Sequence, residues 1–393
     1  MNRAVWILTL AQALAMSATP IMVLLGGIIG AQLAPSEELA TLPIALTVVG
    51  VALTVLPASR LMRRYGRRPV FLGGTLWGAS SGLMAMTAVL HSQFWLFCVA
   101  GLMLGGSAAI VLQYRFAAIE AVAVLDAPKA ASRVLLGGLA AAIIGPELAL
   151  FGRDLLVTQY AGAFVMLSVT CLAAFAVLLW YRPPAVQIAE HDRHEAARPL
   201  KQILVSPVIW VAILAGMLGY ALMSLIMTAT PVHMHHHGSH TLADTKWVIQ
   251  SHIIAMYLPS LISGWLIARL GILPMMMAGL VAYLLTVGLA LAGSELLNYW
   301  SALVLLGIGW NFLFVAATAL LPECYRASER FKVQAFNDSV IFSAQALASL
   351  SAGWLLFSFG WQTLLLCTLP FIGVLLLVMV SVQWRQRTVA AGG

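Results

Sequence analysis

The sequence predicts an all-α membrane protein of twelve transmembrane helices in two six-helix halves. Three observations carry that prediction. The 393-residue chain is 62% hydrophobic and only 9% charged, whereas soluble domains run nearer a quarter charged. Its apolar residues fall into long stretches, each near the ~20 residues that a bilayer core demands. Its basic residues collect in alternate breaks between those stretches, as in loops retained on the cytoplasmic side.

The first apolar stretch, 4–30, is too long for a signal-peptide core and reads as a retained helix. The remaining spans read at 40–61, 70–91, 94–120, 132–152, 159–181, 207–230, 244–268, 271–293, 297–320, 333–357 and 361–384. Turn and charge signals such as "LAPSEE", "RRYGRRP", "RPPAVQ" and "PECYRASERFK" separate them. Charge then orients the chain. With both termini inside, only Arg153 and Lys246 of the 21 Lys and Arg residues fall at outer ends, and Arg115 lies within a span. The segment between spans 7 and 8 therefore faces outward. Four scattered cysteines form no C-x-x-C pair, so no disulfide framework is expected.

The longest polar stretch divides the chain into an N-terminal half at 1–181, a cytoplasmic linker at 182–206 and a C-terminal half at 207–393. A repeat supports the division. "RYGRRPVFLGG" after span 2 aligns with "RLGILPMMMAG" after span 8, matching Arg64 with Arg269, Gly66 with Gly271, Pro69 with Pro274 and Gly74 with Gly279. Parallel six-span halves with a site between them are a transporter plan. "SRLMRRYGRRP", Ser59 to Pro69, resembles the signature of the major facilitator superfamily between spans 2 and 3. It keeps the basic residues and Gly66. Ser59 stands where that family usually has Gly and Arg63 where it has Asp, so the resemblance makes Arg63 a gating position whose lock is altered. It speaks for fold more than for substrate.

Span 7 carries Met223 and Met227, and span 8 carries His252 and Met256. Each pair is four apart and shares a helix face. At ~1.5 Å per residue, Met223 and His252 lie roughly 10–12 Å below the outer ends, at nearly one level. Thioether and imidazole are neutral, and soft sulfur suits Cu(I). A divalent ion among neutral ligands would keep a double charge at heavy cost. The other reading is packing, since Met is a common gap-filler and a buried His also pairs with a neighbouring helix. An intramembrane His nonetheless marks a functional site by default.

Met-x-x-x-Met in span 7 with His-x-x-x-Met in span 8 also resembles the CcoA-type copper importers. That resemblance implies copper import across the bacterial inner membrane for cytochrome oxidase assembly, with copper as substrate rather than prosthetic group. His233, His235, His236, His237 and His240, in the outward segment "PVHMHHHGSH", then read as a capture vestibule. A monomer in the lipid bilayer is expected, with neither nucleic acid nor an acidic partner.

An organic solute moved with protons is the alternative. Arg115 in span 4 would hold an anionic group or pair with Asp338 or Glu120; a fixed cation does not suit a copper path. Glu147, after Pro146 in span 5, is the better proton carrier, and Asp338 reads as a gate or cap near a helix start. Trp310 and Asn311 either line the cavity or pack. No Gly-rich phosphate loop with its lysine and no nucleophile motif occurs, so an enzyme is not expected.

Overall fold

The computed structural model describes residues 3–122, 127–183, 198–236 and 240–391. Sixteen α-helices follow in order: α1 Arg3–Met16, α2 Ala18–Leu33, α3 Leu42–Tyr65, α4 Arg67–Leu90, α5 Phe94–Val111, α6 Tyr114–Glu120, α7 Ala127–Gly152, α8 Ala161–Leu178, α9 Leu200–Ile203, α10 Pro207–His236, α11 Leu242–Tyr257, α12 Ser260–Leu270, α13 Ile272–Ala292, α14 Leu296–Leu320, α15 Arg330–Leu366 and α16 Leu369–Ala391. Among the described residues, eight helical stretches are long and apolar enough to cross a membrane, or nine with the bent pair α11–α12. One of the eight, Lys332–Ser381, spans 50 residues. It turns back at Gly360 (φ 82°), where two crossings meet, because a single crossing needs only ~20 residues. With α4 and α7, of 24 and 26 residues, the twelve expected crossings are accounted for.

The repeat recurs in the backbone. Gly66 closes α3 at φ 84°, ψ 166°, and Gly271 closes α12 at φ 92°, ψ 166°. Both occupy a region that only glycine enters without strain, so the same sharp turn recurs in each half.

Span 7 departs from its expected length. α10 continues through Pro231 to His236, so the outer histidines from His233 to His236 extend a helix rather than form a loop. Pro231 has no N–H for the Met227 carbonyl, yet such breaks are tolerated where neighbouring helices enclose the backbone. Val232 and Met234 on either side are fully buried. A capping box starts α11: Thr241 Oγ1 accepts from Asp244 N–H at 3.2 Å, and Asp244 Oδ2 accepts from Thr241 N–H at 3.0 Å.

Apolar packing forms one large cluster centred on α10, α13 and α14, and two further clusters in the N-terminal helices. α10 packs chiefly on α15 and α14, and α11 on α14 and α7. Contact between the halves involves α2, α3 and α7 on one side and α10, α11 and α15 on the other. α2 and α11 are the outer parts of their crossings; their inner continuations α1 and α12 make no comparable contact with the opposite half. At the outer end, a Cβ on Gly353 of α15 would lie 2.5 Å from Glu38 O and from Thr41 Oγ1, so glycine permits the closest approach of the two halves. The halves thus form a wedge, closed outside and open inside.

Candidate functional site

The four expected ligands sit on two helices, Met223 and Met227 on α10 and His252 and Met256 on α11. α10 and α11 are consecutive, yet neither is the other's main neighbour. His252 is fully buried and points at α14, its Nδ1 2.7 Å from Leu303 O. Met223 and Met256 lie inside the large apolar cluster, and Met227 packs against it. Among the described residues, no group of three or more His, Cys, Asp or Glu side chains gathers as a metal cage.

The outer histidines pack among aromatic rings. His233 stacks on Trp361 (centroids 4.6 Å, planes 11° apart), and its Nδ1 shares a 2.6 Å hydrogen bond with Tyr299 Oη. His240 Nε2 lies 2.9 Å from Ser294 O, with its ring edge-on to Tyr299. A cavity of about 430 Å³ adjoins this stack at the outer face, lined by His233, Ser294, Trp361 and Gln362 among others. The backbone of His236 is helical, and His237 lies outside the described residues.

The remaining charged positions divide between the two membrane faces. Glu147 is not a lone proton carrier: Lys246 Nζ of α11 donates to its Oε1 at 2.7 Å, across the halves. Glu120 is taken by Arg67, whose guanidinium binds both carboxylate oxygens, so it is no partner for Arg115. Arg68 Nη2 donates to Leu179 O at 2.6 Å. Arg63 is exposed at the end of α3; its neighbours Arg67 and Arg68 make the ties. Asp338 sits beyond the first turn of α15, where the helix start no longer acts on it.

A different constellation gathers around Tyr220, near the middle of α10. Its ring meets Trp310 edge-on at 5.0 Å, Phe314 at 5.1 Å and Phe342 at 5.9 Å. Trp310 stacks on Phe314 at 5.2 Å and 12°, and Tyr257 stands edge-on to Trp310 at 6.1 Å. The charge of Arg115, from α6 of the opposite half, acts on Tyr220, Tyr257 and Asp338, and the charge of Asp338 acts on Tyr220. Four helices of the C-terminal half therefore converge on one aromatic floor, and the charge of Arg115 reaches it from the other half. Offset and edge-to-face rings of this kind present flat apolar faces with polar edges.

Asn311 fixes the helix that carries Tyr257. It is fully buried; Nδ2 donates to Met256 O at 2.7 Å and to Ser260 Oγ at 2.6 Å, while Oδ1 accepts from Ser263 Oγ at 2.8 Å. These bonds satisfy backbone and hydroxyls where α11 and α12 part at 45° around Pro259. Asn311 is thus a packing residue, while the buried Trp310 belongs to the aromatic group around Tyr220.

The sequence model of the Major Facilitator Superfamily matches residues 5–245, more than half of the chain. The chain belongs to that superfamily. Consistent with membership, the transporter is 40% identical over 380 residues to the riboflavin transporter RfnT of Brucella anthropi, covering 96% of this chain and 95% of that protein. It is 31% identical to the uncharacterized MFS-type transporter YdeG of Bacillus subtilis, over 98% and 93% of the two chains. Its fold is similar to the crystal structure of a bacterial homolog of the human lysosomal transporter Spinster, in an inward-facing and occupied conformation (TM-score 0.71, 13% identity, 96% and 95% covered).

Sequence reasoning reached Arg115, Asp338 and Trp310 but missed Tyr220, Tyr257, Phe314 and Phe342. An aromatic within an apolar span carries no local mark of lining a cavity; the signal needed was the coincidence of depth across four helices.

Proposed function

We propose that the transporter moves a small planar heteroaromatic solute of the riboflavin class across a bacterial inner membrane by alternating access. Two halves, 1–181 and 207–393, rock about the site, joined by the linker 182–206. The aromatic floor around Tyr220, approached by Arg115 from the opposite half, carries this reading: flat rings stack on flat rings, and the charged groups serve a polar edge. The similarity to a riboflavin transporter along nearly the whole chain supports the same class. The copper reading gains no comparable support: the methionines sit in apolar packing, and no three His, Cys, Asp or Glu side chains gather among the described residues.

Uptake of labelled riboflavin into proteoliposomes tests the proposal. The intact protein should transport it, and Tyr220→Ala and Trp310→Ala should lose most of that transport while inserting normally. No uptake and no flavin binding by intact protein would overturn the proposal.

A further inference from the structure

Two hydrogen-bond donors at this site are buried without partners: Arg115 Nε and Trp310 Nε1. Such groups are costly to bury unpaired, and native structures leave few of them. Each is therefore a place where a ligand acceptor would be used. Arg115 does contact a ring, with its guanidinium carbon 4.6 Å from the Phe116 centroid, but that contact engages the π face and leaves the Nε–H unmet.

The complementary acceptor is Asp338, near enough for the charge of Arg115 to act on it. Asp338 Oδ1 accepts from Asn337 Nδ2 at 3.1 Å, and among the described residues nothing donates to its second oxygen. Arg115 and Asp338 act on one another electrostatically yet form no ion pair. Opposite charges held near each other but apart, at the edge of an aromatic floor, leave a polar slot. An anionic solute would meet Asp338 there, and a cationic one Arg115, so the couple favours a neutral ligand.

We infer that Arg115, Trp310 and Asp338 read the imide edge, C(=O)–NH–C(=O), of the solute's ring. The two unmet donors match two carbonyl oxygens, and the Asp338 carboxylate matches the N–H between them. The substrate class is then narrower than flat aromatics: neutral fused heterocycles that carry an imide, such as flavins. The inference rests on the reading of the cavity as a heteroaromatic site, and it assigns the atoms that select within that class.

The test compares riboflavin with its 3-methyl derivative, in which N–CH3 replaces the imide N–H. Binding to the full-length protein in lipid nanodiscs is followed by flavin fluorescence. Intact protein should bind riboflavin about tenfold or more tightly than the analogue, as a hydrogen bond to a charged group predicts. In Asp338→Ala the ratio should fall to near one, and Asp338→Val, which likewise leaves no acceptor, gives the same readout if the alanine variant does not fold. Equal binding of both compounds by intact protein, or full discrimination by the Asp338 variants, would overturn the inference while leaving riboflavin transport standing. If intact protein binds neither compound, the class assignment falls and this inference with it.

Discussion

Lys246 Nζ lies 2.7 Å from Glu147 Oε1, and this bond ties α11 to α7 across the two halves at the outer end of the molecule. The glutamate side chain is 53% exposed, so the pair is worth only about 0.2–1 kcal/mol and is weakened by salt. That suffices to bias a two-state carrier by about 1.4-fold to fivefold. Lys246→Glu should shift inter-half distances, measured with spin labels at the outer ends, toward an outward-open population. The double exchange Glu147→Lys with Lys246→Glu should restore them. Unchanged distances in the single variant would show that the bond does not hold the outer end.

Gly353 sets a harder limit on the same closure. Its missing Cβ leaves room for Glu38 O and Thr41 Oγ1, and a branched side chain there would collide with backbone. Gly353→Val should insert normally yet transport at least about tenfold less, with outer-end cysteines labelled more readily. Full transport by this variant would place the tight contact outside the working cycle.

Asn311→Ala strips partners from Met256 O, Ser260 Oγ and Ser263 Oγ at once. Leaving buried polar atoms unmet costs about 1–3 kcal/mol. The melting temperature of the purified protein should fall, and Asn311→Asp should not rescue it, because an ionised carboxylate cannot donate to Met256 O. A melting temperature equal to that of the unaltered protein would mean that the bend at Pro259 holds itself.

The linker end is anchored by Glu329, whose solvent-excluded side chain accepts from Arg198 Nε at 2.7 Å and Nη2 at 2.8 Å and from two backbone N–H groups. The Arg198 side-chain bonds, foremost, hold its carboxyl below the usual carboxylate range; burial opposes them. A lowered folded-state value stabilises the fold above the ordinary carboxyl value of 4.5 and is lost as pH falls below it. Glu329→Gln should therefore melt lower than the unaltered protein at neutral pH, with the gap shrinking in acid. A gap independent of pH would remove the carboxylate from the account.

Replacing Met223 and Met227 with leucine tests the metal reading directly. The swap conserves volume within the apolar cluster, so flavin uptake should stay within about twofold and cellular copper content, measured by mass spectrometry, should not change. A sharp fall in copper with flavin uptake intact would return the site to the methionines.

The fold was legible because each part of it rests on a rule that acts along the chain. Span lengths follow from bilayer thickness, orientation from Arg and Lys placement, and the doubled turn from Gly66 and Gly271. The site was less so. The outer end of span 7 was placed at 230 where α10 runs on to His236, and which face each helix turns to its neighbours depends on packing: α10 chose α15 and α14, and His252 chose Leu303. The ion pairs behave similarly, since Glu147 and Lys246 are far apart in sequence and meet only because the outer ends close. Arg115 could be singled out because a buried guanidinium stands out among apolar residues, whereas Tyr220 could not.

A wedge that closes outside and opens inside also determines which pool of solute the resting carrier samples. In this shape its aromatic floor is loaded from the cytoplasm, and every molecule bound there delays the return to the outward form. Were the carrier to work inward, net transport would slow as the cell fills, a feedback brake that needs no separate sensor and no second protein.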